Sequence, residues 1–150
     1  VYKNEGNFKQ TMLEIMNEYF ISKAVAHHYI GLTKKTLALV KKTHQFKIKK
    51  YFYIIRSILA ALWCFQFNEI PPMEFSILRT LIKDEKLNDI INQLLEEKEK
   101  HDEGYLIDSV KEIDDFVAET IERCNNKLKE FETKSNDIKP LNDLFLKLLD

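Results

Sequence analysis

The chain has 150 residues, of which 45% are hydrophobic and 31% charged, with only three glycines and three prolines. That length fits one domain with a sizeable core, and the composition is that of a helical globular protein. The 23 Lys+Arg nearly cancel the 24 Asp+Glu, giving a formal net charge of -1. This excludes a global basic field for nucleic acid, so any anion site must be local.

In chain order, residues 1–7 carry Gly6 and two asparagines and read as a loop. The chain opens on Val1 with no secretory apolar segment, and we read it as a fragment whose N-terminal portion has been removed. Residues 8–20 repeat apolar side chains at helical spacing, and Ser22 is placed to cap a second helix over about 23–42. Val25, Tyr29, Leu32, Thr36, Leu39 and Val40 form the apolar face of that helix, and another face carries His27, Gly31, Lys34, Ala38 and Lys41. Gly31 inside a helix costs about 1 kcal/mol against alanine. Close approach of a ligand or a neighbouring backbone explains such a glycine, and so does loose packing. His27 and His28 are adjacent and diverge on a helix, which does not suit a shared metal. The pattern breaks at 43–47, a predicted loop. Lys41, Lys42, His44, Lys47, Lys49 and Lys50 cluster around it. They read either as the complement of a helix C-terminus or as a phosphate-binding rim.

The next element is a central helix over about 48–68. From 51 to 68 Arg56 is the only charged residue. A helix apolar nearly all round belongs inside a bundle or a membrane. The charged mid-point, the amphipathic neighbours and the lack of a second such run favour the bundle, with no membrane involved. Arg56 has no carboxylate within two turns, so its guanidinium must find an anion elsewhere. Lys49, Tyr53, Arg56, Ala60 and Trp63 fall three and four apart on one face. Such a face can seat phosphate oxygens at its cationic end. From spacing alone the favoured reading is core aromatics with an internally paired arginine.

Pro71-Pro72 should stop this helix and start a short one at a proline, with Phe75, Leu78, Leu81 and Ile82 inward. Asp84 starts another, buried through Leu87, Ile90, Ile91, Leu94 and Leu95, which ends in the charged run 96–104. Leu106, Val110, Ile113, Val117, Ile121, Cys124, Leu128 and Phe131 define one long amphipathic helix over 105–131. A polar linker at 133–139 and a short helix after Pro140 complete an all-α bundle of six to seven helices with no sheet. Cys64 and Cys124 lack metal-ligand spacing, which points to a reduced, cytoplasmic protein. No nucleophile elbow, Walker loop, Rossmann fingerprint or zinc motif is present. The residues alone offer binding groups and no catalytic set.

Three stretches carry a resemblance: Lys49-Lys50-Tyr51-Phe52-Tyr53-Ile54-Ile55-Arg56, Ala60-Ala61-Leu62-Trp63 and Pro71-Pro72-Met73-Glu74-Phe75. Together they closely resemble the helical C-terminal part of predicted bacterial nucleotidyltransferases of the DNA polymerase β superfamily, the group linked with RNA repair. His27-His28-Tyr29, Lys34-Lys35 and Val1-Tyr2 fit the same pattern, which covers about residues 1–122; the last helix looks like an individual extension. Ser57 stands where the family has proline. The resemblance implies a two-part enzyme whose absent N-terminal α/β domain holds two Mg²⁺ on paired carboxylates. This chain, through residues 1–132, is then the nucleotide- and substrate-binding half, not catalytic alone, with 133–150 as linker and terminal helix. By the same resemblance Lys34, Lys50 and Arg56 contact the triphosphate, with Lys49 beside them on the Tyr53 face. Tyr53 bonds a phosphate or the sugar, and His27 or His28 lines the cleft. Trp63, about 15 Å beyond Tyr53 along the helix, reads as a core residue. The implied partners are the N-terminal domain, a nucleoside triphosphate and an acceptor, RNA among the choices. The competing expectation is a helical interaction module that docks a partner or a second copy. A further one is nucleic-acid binding through the 41–50 basic loop.

Overall fold

In the computed structural model the backbone is described for residues 2–43 and 45–149, and the side chains for 9–15, 17–43, 45 and 47–131. His44 and the side chains of the terminal helix therefore lie outside the described residues. Five α-helices carry the fold: α1 (Tyr2–Lys41), α2 (Ile48–Phe67), α3 (Phe75–Leu78), α4 (Glu85–Lys100) and α5 (Lys111–Leu149). A 3₁₀ turn, Arg79–Leu81, extends α3.

Helix α2 is the centre of the core, as its composition requires. Ile54, Ile55, Ile58 and Leu59 are fully buried. Around them gather Ala26 and Ile30 from α1, Leu78 from α3, Ile91 and Leu94 from α4, and Ile113 and Val117 from α5. The helix stops at Asn68, whose positive φ of 54° lets its N–H reach back to the Cys64 carbonyl. Helices α1 and α5 pack antiparallel: Phe20 meets Phe131 at 5.8 Å between ring centroids, while Lys34 meets Asn125 at 3.1 Å.

Four expectations are corrected. The two helices read before residue 43 are one, because the Ser22 hydroxyl is buried and donates to the Tyr19 carbonyl at 2.8 Å instead of capping a new start. The 133–139 stretch does not interrupt α5: it is polar but holds no glycine. Pro71 and Pro72 precede α3 rather than opening it, and Glu74 is the flanking residue. A small antiparallel ribbon exists where no strand was expected. β1 (Gln45–Lys47) pairs with β2 (Leu106–Asp108) in the register Gln45↔Asp108, Phe46↔Ile107, Lys47↔Leu106. Three-residue strands are too short for alternation to show, and Leu106 fits the helical repeat that truly begins after it. Asp84 does cap α4, accepting from the Lys86 N–H at 3.0 Å.

Both cysteines are buried and unpaired. Burial pushes each thiol up to about 11. Little thiolate exists at pH 8, and neither sulfur is accessible. Ellman's reagent is therefore expected to react slowly with native protein and to titrate both thiols at once in urea. A fast native reaction would show that the α2–α5 contact opens readily.

Candidate functional site

Thirteen of the 20 residues of α2 are buried. Among the rest, Lys49, Tyr53 and Arg56 are exposed and recur at i, i+4 and i+7, so they share one face. Tyr53 is 43% exposed. At 1.5 Å rise per residue the face runs about 10 Å from Lys49 to Arg56. A cation, a phenol and a second cation therefore stand in a row on a helix whose other sides are core. The row ends at Ala60, which is buried.

The chain after α2 turns back along the helix. The Trp63 indole N–H donates to Glu69 Oε1 at 3.1 Å. Arg56 Nη2 donates to the Met73 carbonyl oxygen. Phe52 meets Phe75 edge-on at 5.8 Å. Two stretches singled out in the sequence, 49–56 and 71–75, are thus brought into contact. The reading of Arg56 as paired to a buried carboxylate is corrected: its side chain is exposed and its described partner is a neutral carbonyl. A guanidinium has five donors, so this bond leaves capacity for an incoming anion.

The other predicted residues lie elsewhere. Lys50 lies on the first turn of α2, at the edge of a groove by the ribbon. Lys34 is on α1 and donates to Asn125 Oδ1 of α5. His27, one α1 face with Lys34, borders a cavity with Phe20, Leu128 and Phe131. His28 is exposed beside Tyr29, 5.9 Å between ring centroids. The structure therefore gathers Lys49, Tyr53 and Arg56, sets Lys50 beside them, and holds Lys34 and His27 along the α1–α5 seam. Among the described residues nothing lies within 4 Å of a Cβ added at Gly31, so none of them requires the glycine. Lys49 carries one partner, Glu103 Oε2, at 3.7 Å in an exposed pair.

Two polar residues escaped the sequence reading. Lys23 is buried and reaches the C-terminal end of α2, donating to Asn68 Oδ1 at 2.5 Å and to the Cys64 carbonyl at 3.4 Å. A cation there complements the helix dipole. Its phase on α1, with Ala26 and Ile30, was the available signal. Tyr51 is also buried. Its hydroxyl contacts Asp114 and the Val110 carbonyl and accepts the Val110 N–H at 2.8 Å. Adjacent acids at 114 and 115 gave no hint of this, because the tie joins residues some sixty positions apart.

Among the described residues, no group of three or more His, Cys, Asp or Glu is placed to hold a metal. None of the described helices is long and apolar enough to cross a membrane.

Comparison with known proteins shows the family. A family model, RlaP, described as the RNA repair pathway DNA polymerase beta family, matches residues 1–147. The match extends past residue 122, so the last helix is shared with the family rather than individual. The uncharacterized protein YcgL of Bacillus subtilis (strain 168) is 30% identical over 152 residues, covering 100% of this chain. The chain spans 58% of the length of that curated relative. No solved structure matches.

Proposed function

The chain belongs to the RNA repair pathway DNA polymerase beta family, and from that premise we propose that it is the helical, nucleotide-binding half of a cytoplasmic nucleotidyltransferase. The observation that carries the reading is the exposed Lys49–Tyr53–Arg56 row on a helix that buries thirteen of its 20 residues. Lys49 and Arg56 hold the phosphates of a nucleoside triphosphate, with Lys50 at the edge. Tyr53 donates to a phosphate or the sugar. Lys34 and His27, on the α1–α5 seam, and the exposed His28 contribute further along the cleft wall.

In the reaction an acceptor hydroxyl oxygen bonds to the α-phosphorus, the bond to the bridging oxygen of the β-phosphate breaks, pyrophosphate leaves and the hydroxyl proton is released. Mg²⁺ would neutralise charge on the phosphates. The described residues of this chain do not fit such an ion, so its ligands are assigned to an N-terminal catalytic domain. This chain's part is to grip and orient.

Arg56→Ala in the complete protein tests the reading. A charge-assisted phosphate hydrogen bond is worth about 1.5–3 kcal/mol, so triphosphate affinity by calorimetry should fall about 10- to 100-fold. Arg56→Lys should recover only part, lacking the planar fork. Because the side chain is exposed, the urea midpoint should barely move. Normal triphosphate binding by the alanine variant overturns the reading.

One observation favours a second reading, a helical interaction module. Phe67, Ile70, Met73 and Ile77 are all exposed, Met73 to 81%, beside the row. Concentration-dependent sedimentation would support self-association through them; a monomer at high concentration counts against it.

A further inference from the structure

Beside the row lies a groove that it does not use. The groove sits where the end of α1, the ribbon and the first turn of α2 meet, and its volume is about 240 Å³. Leu39, Val40 and Leu106 form its walls; Gln45, Lys47 and Lys50 stand at its polar edge. Leu39 and Leu106 are 58% and 50% exposed. Scattered exposed leucines need no explanation. Here, however, the apolar wall is paired with two cations, neither in an ion pair among the described residues. The segment 41–50 holds five lysines and no acidic residue. The groove therefore suits a ligand that joins a flat, weakly polar ring to an anion, which is the chemistry of a nucleotide unit. An acidic peptide offers charge without a ring for the walls. A duplex keeps its rings stacked inside and cannot present one.

Position selects between the two sources of a nucleotide. Lys50 is the next residue after Lys49, which heads the row, and Arg56 lies about 10 Å further along the helix. A triphosphate on the row already occupies that helix face. What nucleotidyl transfer still requires nearby is the acceptor end, whose hydroxyl must meet the α-phosphorus. We propose that the groove seats the terminal nucleotide of a single-stranded nucleic-acid acceptor, its base against Leu39 and Leu106 and its phosphate between Lys47 and Lys50. The assignment rests on the nucleotidyltransferase reading above and adds the acceptor's place to it.

The test uses the complete protein and a fluorescein-labelled single-stranded RNA 12-mer, with binding read by anisotropy across a salt series. The Lys47→Ala/Lys50→Ala variant should bind about tenfold more weakly at 0.1 M salt. Its log–log salt slope should be shallower by about 0.7, the contribution of one neutralised single-strand phosphate. Leu39→Ser/Leu106→Ser should weaken binding several-fold with the slope unchanged, because it removes ring contact and no charge. All four side chains border solvent, and circular dichroism checks that the variants fold. Arg56→Ala should lose triphosphate and keep RNA, whereas Lys47→Ala alone, at a residue outside the triphosphate site, should weaken RNA binding and keep triphosphate. Unchanged RNA affinity in the lysine pair variant overturns the proposal. So does competition by a nucleoside monophosphate, by polyglutamate or by duplex RNA as strong as that by the unlabelled 12-mer. If Arg56→Ala binds triphosphate normally while the lysine pair variant alone loses RNA, the row reading fails and the groove stands.

Discussion

Tyr51→Phe is expected to destabilise the fold by about 2–4 kcal/mol, although it removes one oxygen. That oxygen is shared by three groups: it accepts the Val110 N–H at 2.8 Å, lies 3.1 Å from the Val110 carbonyl and contacts the Asp114 carboxylate. The Val110 carbonyl keeps the Ile113 and Asp114 N–H groups as donors, so the loss falls on the Val110 N–H and the Asp114 carboxylate, and each buried group left without a partner costs about 1–3 kcal/mol. Half-buried Asp114 can recover some hydration, which keeps the total below the simple sum. Burial first, then the Asp114 hydrogen bond, raises the Tyr51 phenol above its ordinary range. The sign follows directly. The folded state prefers the neutral phenol, so its stabilisation is intact below about pH 10 and declines as pH rises further, where the unfolded chain's tyrosine ionises. Urea unfolding at pH 7 and pH 11 should show the gap between wild type and the Phe variant narrowing at the higher pH. The buried thiols also titrate there, but equally in both proteins, so they cancel in the difference. A gap that stays constant or widens would sink the assignment of this network.

Tyr53→Phe, two residues along, should leave the same unfolding curve almost untouched. Successive side chains separated by about 200° on a helix have opposite surroundings. Here Tyr51 is 1% exposed and Tyr53 43%. This contrast shows what was legible in the sequence. Spacing identified the Lys49, Tyr53, Arg56 face and the central place of α2, since both follow from local periodicity. It left open whether that face is internal or exposed, because Arg56 has apolar neighbours in sequence and only the returning 69–75 chain decides it. The Tyr51–Asp114 tie and the β1–β2 ribbon were not legible at all. Each depends on bringing α2 or its approach against residues 106–114, and no local pattern encodes that pairing. Ser22 misled for a related reason: a hydroxyl that caps a helix in one setting folds back on a carbonyl in another, and only burial decides. Lys34 shows the limit of carrying a family's pattern across. Its identity matches, yet its described contact is Asn125 on α5, not the row on α2.

The second large effect lies on the opposite side of α2 from the row. Ile58 is seven residues after Tyr51, on the same face, and fully buried. Ile58→Ala deletes buried methyl groups and leaves a cavity, so it should cost about 2–5 kcal/mol, against about 0.5–1.5 for Ile58→Val. A domain of this size holds only about 5–15 kcal/mol in all, so the alanine variant risks partial unfolding at 37 °C. Its triphosphate affinity, corrected for the folded fraction, should nevertheless remain near wild type, because the row's side chains take no part in that core. The two faces of α2 thus predict two separable losses: Ile58 changes stability and spares binding, Arg56 changes binding and spares stability. Combining Ile58→Val with Arg56→Ala makes the separation quantitative. Sites without shared partners add to within about 0.5 kcal/mol, so the double variant should show the valine's unfolding midpoint and the alanine's affinity together. A coupling beyond that would mean the row is strained by, or packed into, the core beneath it, and the helix could no longer be treated as a rigid platform with a binding side and a folding side.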